Sequence, residues 1–207
     1  AVDWEDMAHG PCADAGDPDC LYVGDIGDNG QSRDSIQVYR VGEPSVPLTG
    51  HPEETSLPNV ERFDCTYPDG AHDAELLLVD PDSGIPYIVT KSVNQDTNVY
   101  RFPAAPVAGE SVVLEKVATL GARAFLTGGD AAWDGSRVVL RDYLAAYDYP
   151  RGSGVTFEQI FSQTPCLVPL ALEAQGESLT IGPSGLELYT ASEGVGGPIN
   201  KAACEYP

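Results

Sequence analysis

Hydrophobic residues in this chain fall into short segments separated by turn-forming residues. Segments such as "IQVYRV", "ELLLVD", "PYIVTKS" and "RVVLRDY" are rich in β-branched and aromatic residues and are bounded by Gly, Pro, Asp or Ser. That combination is typical of β-strands. The 22 Gly and 17 Pro are spread along the whole chain and interrupt every window that might form a long helix. The pattern therefore predicts an all-β fold.

A longer repeat favours a β-propeller over a β-sandwich, the main alternative. In four places an acidic residue leads into a short apolar strand, a turn follows, and a second strand ends in a charged residue. The repeats are separated by roughly 50 to 70 residues, near the length of a four-stranded propeller blade plus insertions. The sequence thus predicts a single propeller domain over residues 1–207 with about four visible blades. The leading acids are Glu5, Glu75, Asp130 and Glu177, and the closing charges are Asp25, Lys91, Arg141 and Glu193.

Equivalent positions of different blades converge on the central channel of a propeller, so the leading acids are expected to cluster there. Clustered carboxylates repel one another, and they either share protons or hold a cation. Oxygen ligands on irregular loops suit Ca²⁺. The channel acids include Asp6, and the predicted calcium ligands are Glu5, Asp25, Asp28, Asp73, Glu75, Asp130 and Glu177.

The stretch "LYVGDIGDNG" contains two of these predicted ligands. Asp25 closes a strand at the position that Lys91, Arg141 and Glu193 take in the other repeats, and we expect it to face the channel. Asp28 is followed by Asn29-Gly30, a turn sequence. It either caps that turn or completes the same cation site.

Two basic residues, Lys91 and Arg141, lie at strand ends beside the acids. Together with a metal they would bind an anionic ligand such as phosphate, and with Glu193 they are the candidate catalytic residues. The alternative is that they pair with neighbouring acids and hold blades together. His72, in "HDAE", is interpreted as a hydrogen-bonded loop residue.

Charge and hydropathy exclude two classes of partner. The chain carries 32 acidic and 11 basic residues, for a net charge of −21. Nucleic-acid binding depends on basic residues that neutralise phosphates, so it is not expected. No apolar run approaches the ~18 residues that a membrane span needs. The charge balance fits a soluble secreted protein, and a salty habitat or a GC-rich genome would give the same balance.

The five cysteines predict disulfide bonds. Cys12 and Cys20 enclose a short polar loop, which indicates a disulfide. Cys166 and Cys204 are the best second pair, and Cys65 is left free, intermolecular, or bonded to a residue outside this sequence. A zinc site is not favoured, because no His or second Cys pair has ligand spacing.

The combination of "DWEDMA", "CLYVGDIGDN", "HDAELLLVDP", "GGDAAWDGSRVVLRDY" and "QGESLTI" resembles a group of secreted bacterial β-propeller proteins. That group is distantly related to the β-propeller phytases and to phytase-like "esterase-like" domains. The resemblance implies a propeller, export and an acidic channel that contains calcium. Such proteins usually carry at least one more blade before "DWED". The chain would then be a fragment, a processed product or a propeller closed with fewer blades.

Three functions follow from these expectations. The favoured one is a secreted binding or scaffold module with Ca²⁺ in its channel. The second is a calcium-dependent phosphoesterase in which Lys91 and Arg141 steady the anion. The third is a subunit of an extracellular assembly. The expected partner is an anionic small molecule or another extracellular protein.

Overall fold

The computed structural model describes residues 1–12, 19–46, 49, 56–92, 96–104, 107–121 and 125–203. Within them the first nine strands are β1 (Asp6–Pro11), β2 (Asp19–Asp25), β3 (Ile36–Gly42), β4 (Glu61–Thr66), β5 (Ala74–Val79), β6 (Pro86–Thr90), β7 (Asn98–Arg101), β8 (Ser111–Val113) and β9 (Glu115–Thr119). The remaining strands are β10 (Gly128–Ala131), β11 (Arg137–Arg141), β12 (Ala145–Pro150), β13 (Cys166–Pro169), β14 (Gly176–Ile181), β15 (Glu187–Ser192) and β16 (Ile199–Ala203). One short helix, α1 (Phe157–Ile160), begins after Thr156, whose side chain accepts a hydrogen bond from the Gln159 N–H.

The strands form four sheets, which we call blades 1 to 4. Blade 1 is β1-β2-β3-β4 with β8 added in parallel beside β4, and blade 2 is β5-β6-β7-β9. Blade 3 is β10-β11-β12-β13, and blade 4 is β14-β15-β16. The innermost strands β1, β5, β10 and β14 follow one another around the channel. The predicted all-β propeller with four blades is confirmed.

Side chains of the inner strands alternate between two neighbouring blades, as the two-residue period of a strand requires. In β5, Leu77 and Val79 pack in the core shared with blade 1, whereas Leu76 and Leu78 pack in the core shared with blade 3. Both faces of this strand are buried, which explains why "AELLLV" is an almost continuous apolar run.

Three hydrophobic cores join the four blades in sequence. Tyr22 and Phe63 contribute to the first, between blades 1 and 2, and Tyr149 with α1 contributes to the second, between blades 2 and 3. A smaller core around Val139 and Leu188 joins blades 3 and 4. Between blade 4 and blade 1 the described residues form a cleft of about 1070 Å³ instead. We call it the blade 4–1 cleft.

The predicted Cys12–Cys20 disulfide is present and closes the end of the β1–β2 hairpin, with Cα atoms 4.9 Å apart. Cys65 is a free thiol in the core between blades 1 and 2, and its burial raises its pKa to about 12. Cys166 is exposed on β13. Because Cys204 lies outside the described residues, its pairing with Cys166 stays a prediction, as does a further blade before β1.

No helix among the described residues is long and apolar enough to cross a membrane.

Candidate functional site

Four carboxylates meet at the end of the channel where blades 1 and 2 join. We call this group, Asp3, Glu5, Asp73 and Glu75, the channel-mouth cluster. The Glu5 N–H donates to the Gly24 carbonyl at 3.0 Å, which extends the β1–β2 ladder by one residue and fixes the chain that carries Asp3 and Glu5. Glu75 lies within β5, and Asp73 directly precedes it. Burial, the charges of Glu75, Asp3 and Asp73, and a side-chain contact with Glu75 all contribute to the raised pKa of Glu5.

Gly27 leaves the space in which these carboxylates stand. A Cβ atom at this position would lie 2.6 Å from the Asp3 Oδ2 atom and would also collide with the Glu5 Oε1 atom. The Gly27 N–H donates to the Asp3 carbonyl at 3.3 Å, which holds the two segments side by side. Gly27, the second glycine of "GDIGDN", is therefore required by the cluster.

The electrostatics of the cluster disfavour four negative charges. Burial, followed by the charges of Glu75, Asp3 and Asp73, raises the pKa of Glu5 to about 8. Burial also raises the pKa of Glu75, although Lys91 opposes that shift. The Lys91 ammonium lies 2.6 Å from the Glu75 carboxylate and neutralises one charge. The remaining negative charge requires bound protons or a cation.

The donor atoms of the cluster suit calcium. All are carboxylate oxygens, and Ca²⁺ prefers six to eight oxygen ligands in flexible geometry. Glu177 of β14 adds negative charge on the side of blade 4, since its field contributes to the raised pKa of Glu75. The Tyr143 hydroxyl donates to Glu177 at 3.3 Å. Asp3, Glu5, Asp73 and Glu75, with Glu177 nearby, are the residues that would hold the cation. Their side chains would first move closer together, since no three of these carboxylates place one oxygen each within 4.8 Å of the others.

Asp25, the closing charge of the first repeat, has its oxygens occupied by other groups. It accepts hydrogen bonds from the Val2 and Asp3 N–H groups, both as short as 2.9 Å, and forms an ion pair with Arg33 at 3.0 Å. Burial opposes its charge, but these donors lower its pKa. Asp25 thus anchors the segment that carries Asp3 and Glu5, and its role as a calcium ligand stays a prediction.

Asp28 caps the turn that follows β2. Its carboxylate accepts hydrogen bonds from the Ser32 and Arg33 N–H groups at 2.8 Å. The Asp28 N–H in turn donates to the Asp73 Oδ1 atom at 2.8 Å. Of the two roles expected for Asp28, turn capping is the one these contacts show, and the backbone amide of Asp28 orients a cluster carboxylate.

Asp6 and Asp130 link neighbouring inner strands. Asp6 accepts a hydrogen bond from the Leu77 N–H at 2.9 Å, which joins blade 1 to blade 2. Asp130 accepts hydrogen bonds from the Ile181 N–H and the Thr180 hydroxyl, both at 2.8 Å, which join blade 3 to blade 4. Burial raises the pKa of both carboxyls, that of Asp6 to about 8. The two acids lie on the inner strands as expected, and their contacts connect blades.

The three candidate catalytic residues do not come together. Lys91 pairs with Glu75. Arg141 is fully buried, and its guanidinium lies 2.7 Å from the Glu173 carboxylate. Glu193 is exposed and accepts a hydrogen bond from the Gln175 amide at 3.2 Å. Both basic residues thus have the pairing role that the sequence left as the alternative.

Glu173 is a structural acid that sequence reasoning missed. It is buried and also accepts hydrogen bonds from the Thr190 hydroxyl at 2.6 Å and the Asn200 amide at 2.7 Å. Glu173 lies in a loop just before the "QGES" repeat, and no repeat position marks it. His72, by contrast, is hydrogen-bonded as expected, with Asp69 at 3.0 Å and the Tyr100 hydroxyl at 2.9 Å.

Comparisons with known proteins leave the family open. No family model matches the chain, and no curated protein matches it. Among solved structures it is similar to hydrazine synthase of Kuenenia stuttgartiensis, with 13% identity, a TM-score of 0.46 and coverage of 89% of this chain and 42% of that one. It is also similar to the Dos1 propeller, with 7% identity, a TM-score of 0.42 and coverage of 95% and 54%. This chain therefore spans less than two thirds of either protein chain. The propeller assignment rests on the four sheets, and the relationship to phytases stays a prediction.

Proposed function

We propose that this chain is a β-propeller binding module that holds Ca²⁺ at its channel mouth. The observation that carries the proposal is the contact between the Glu5 and Glu75 carboxyls, with Asp3 and Asp73 beside them and Lys91 as their counter-charge. Such a group is unfavourable unless additional positive charge is bound. Calcium supplies that charge to an all-oxygen site.

The same residues give the site a mechanical role. Asp3 and Glu5 belong to the segment before β1, whereas Asp73 directly precedes β5 and Glu75 lies within it. A ligand set drawn from both segments connects blade 1 to blade 2. Asp25 and the Asp28 amide hold that set in position through their hydrogen bonds. Cation binding is thus expected to stabilise the fold.

The binding surface that we propose is the blade 4–1 cleft, which begins at Glu5. Its walls carry apolar side chains, and Trp4 and Trp133 at its edge are 53% and 57% exposed. Its acidic lining residues are Glu5, Asp6, Asp19 and Asp130, and the described lining contains no Lys or Arg. Apolar walls with carboxylates suit a protein segment that carries both apolar and cationic side chains.

The described contacts do not favour the phosphoesterase alternative. Lys91 is engaged by Glu75, and Arg141 is buried against Glu173, so neither cation faces an open phosphate site. The Cys12–Cys20 disulfide supports an oxidising compartment. We therefore propose a secreted or periplasmic binding module, and another extracellular protein as its partner.

Calorimetric titration with Ca²⁺ tests the cation site. We expect one Ca²⁺ per chain in the wild type and a loss of at least about tenfold in affinity in Glu5→Gln, because a carboxylate ligand is removed. The matched control is Glu193→Gln, which removes an exposed acid of the same type outside the cluster. The absence of binding heat together with an unchanged melting temperature in calcium would contradict the proposal.

A pair of peptides tests the cleft. A peptide of alternating Leu and Lys is expected to bind and to weaken as salt rises, whereas its Leu/Glu counterpart is not. Met7→Lys and Ile199→Lys, both at exposed positions that line the cleft, should weaken binding of the basic peptide. Equal binding of both peptides, or no effect of the two substitutions, would exclude the cleft as the proposed surface.

A further inference from the structure

A second group of potential metal ligands lies on blade 1, away from the channel-mouth cluster. His9 is in β1, Asp19 begins β2, and Glu43 directly follows β3. The strand register brings these three strands side by side, and the Glu43 N–H donates to the Asp19 carbonyl at 3.0 Å. One ligand atom from each of the three side chains lies within 4.8 Å of the other two.

The distances in this group are those of ligands around a metal. The His9 Nε2 atom lies 3.7 Å from the Asp19 Oδ1 atom and 3.6 Å from the Glu43 Oε2 atom. Both distances are too long for hydrogen bonds, which are about 2.7–3.2 Å. Ligand atoms around tetrahedral Zn²⁺, with bonds of about 2.0–2.2 Å, lie about 3.3–3.6 Å apart. A metal between the three atoms would contact all of them after only small shifts.

The His9 ring has the orientation that such a site needs. It stacks on the Trp133 ring, with centroids 3.9 Å apart and planes 31° apart. Its Nε2 atom is buried, faces the two carboxylates and has no hydrogen-bond partner among the residues that the structure describes. A simple ion pair of protonated histidine would be expected to form a shorter charge-assisted hydrogen bond with one carboxylate. An imidazole nitrogen that is almost equidistant from two carboxylates, and beyond hydrogen-bond distance from both, fits a metal ligand better.

We propose that His9, Asp19 and Glu43 bind a divalent first-row transition metal of the Zn²⁺, Ni²⁺ or Cu²⁺ class. One imidazole nitrogen and two carboxylates favour these ions over Ca²⁺, which prefers oxygen ligands alone. Three protein ligands leave a coordination position open. His9 and Asp19 line the blade 4–1 cleft, so a donor atom of a bound partner would complete the coordination there.

Trp133 provides a direct readout, because its ring contacts the proposed ligand. Ni²⁺ is titrated into the whole chain at pH about 7.5, in excess Ca²⁺ to occupy the channel-mouth cluster. We expect saturable quenching of tryptophan emission. Trp133→Phe should retain Ni²⁺ binding by calorimetry but lose most of the quenching. His9→Gln should weaken Ni²⁺ binding by about tenfold or more, since it removes the nitrogen ligand.

Asp19→Asn and Glu43→Gln repeat the test without touching the Trp133 contact. Both carboxylates are about half exposed, at 51% and 48%, so these variants are expected to fold normally. Each should weaken Ni²⁺ binding, whereas Glu193→Gln, which changes an exposed acid outside both groups, should leave it unchanged. Absent quenching in the wild type would overturn the proposal. So would equal Ni²⁺ affinity in the wild type and the Asp19 and Glu43 variants.

Discussion

Two blade junctions bury charged side chains and balance them in opposite ways. Between blades 3 and 4, Arg141 and Glu173 form a one-to-one pair, and Thr190 and Asn200 donate further hydrogen bonds to Glu173. Between blades 1 and 2, the channel-mouth cluster has four carboxylates and one ammonium. The two charges of the first arrangement cancel within the chain. The second needs charge from outside, which is what distinguishes a binding site from a structural ion pair.

The pKa shifts follow this difference. Burial opposes the charge of Glu173, but hydrogen bonds from Thr190, Arg141 and Asn200 lower its pKa below the ordinary value. At the channel mouth burial and like charges act together and raise the pKa of Glu5 to about 8. The same residue type therefore has a lowered pKa at one junction and a raised pKa at the other.

The largest loss of stability is expected when the ion pair between Arg141 and Glu173 is broken. Arg141→Met leaves the Glu173 carboxylate buried without its counter-charge and should lower the free energy of unfolding by roughly 3–5 kcal/mol. Urea denaturation with and without Ca²⁺ measures this loss, which should be the same in both conditions. A loss that added Ca²⁺ repairs would show that Arg141 belongs to the cation site after all.

The next largest change in stability is expected from calcium binding. It should act through the channel-mouth cluster between blades 1 and 2 and not through the junction between blades 3 and 4. At a Ca²⁺ concentration about 100 times Kd, binding stabilises the folded state by about 2.7 kcal/mol. The wild type and Arg141→Met should both show this gain in thermal denaturation, and Glu5→Gln should not. The comparison between the two junctions fails if the gain survives in Glu5→Gln.

Two glycine substitutions test whether stability and calcium affinity depend on different junctions. The Gly176 Cβ position lies 2.6 Å from the Glu173 Oε2 atom and also collides with the Arg141 guanidinium. Gly176→Ala should therefore cost roughly 1–3 kcal/mol of stability and leave calcium affinity unchanged. Gly27→Ala fills the space between Asp3 and Glu5 and should lower calcium affinity in calorimetry. Equal effects of the two changes on calcium affinity would contradict the assignment.

The two junctions should also respond to pH with opposite sign. In calcium-free protein, folded Glu5 keeps its proton up to about pH 8, whereas unfolded Glu5 loses it near pH 4.5. Its contribution is thus fully present below 4.5 and declines as pH rises to 8. Glu173 contributes above 4.5, and that contribution is lost as pH falls through its lowered folded pKa. Melting temperatures across this range should fall less with rising pH in Glu5→Gln, and an unchanged slope would contradict the Glu5 assignment.

The smallest effect is expected at a surface ion pair that lies at neither junction. Arg151 contacts Asp82 at 2.8 Å, and the Asp82 side chain is 64% exposed. Asp82→Asn should change the free energy of unfolding by less than about 1 kcal/mol, because solvent screens the pair. It serves as the baseline for the denaturation series. A loss comparable to that of Arg141→Met would remove the contrast between buried and exposed pairs.

Strand positions were the part of the fold most accessible from sequence. "IQVYRV", "PYIVTKS" and "RVVLRDY" correspond to β3, β6 and β11, because a local alternation of apolar residues is enough to identify a strand. The segment "SVVLEKVATL" instead splits at Leu114 into β8, which joins blade 1, and β9, which completes blade 2. That division depends on which sheet edge is free, and local sequence does not contain this information.

Part of the candidate site could also be predicted from the sequence pattern. The repeat pattern located Glu5, Asp73 and Glu75 near inner-strand ends, and these three do meet. It could not distinguish them from Asp25, whose hydrogen bonds with Val2, Asp3 and Arg33 depend on how the first residues fold back.

Local alternation and recurrent spacing by themselves determined that this chain forms short strands in four blades with acids near the channel. Only the tertiary structure decided what each charge contacts. It paired Lys91 with Glu75, buried Arg141 against Glu173, and brought His9, Asp19 and Glu43 together from three strands. The physical reason is the distance along the chain over which each interaction acts. A strand is set by neighbours within a few residues, whereas an ionisable group is governed by burial and by charges distant in sequence.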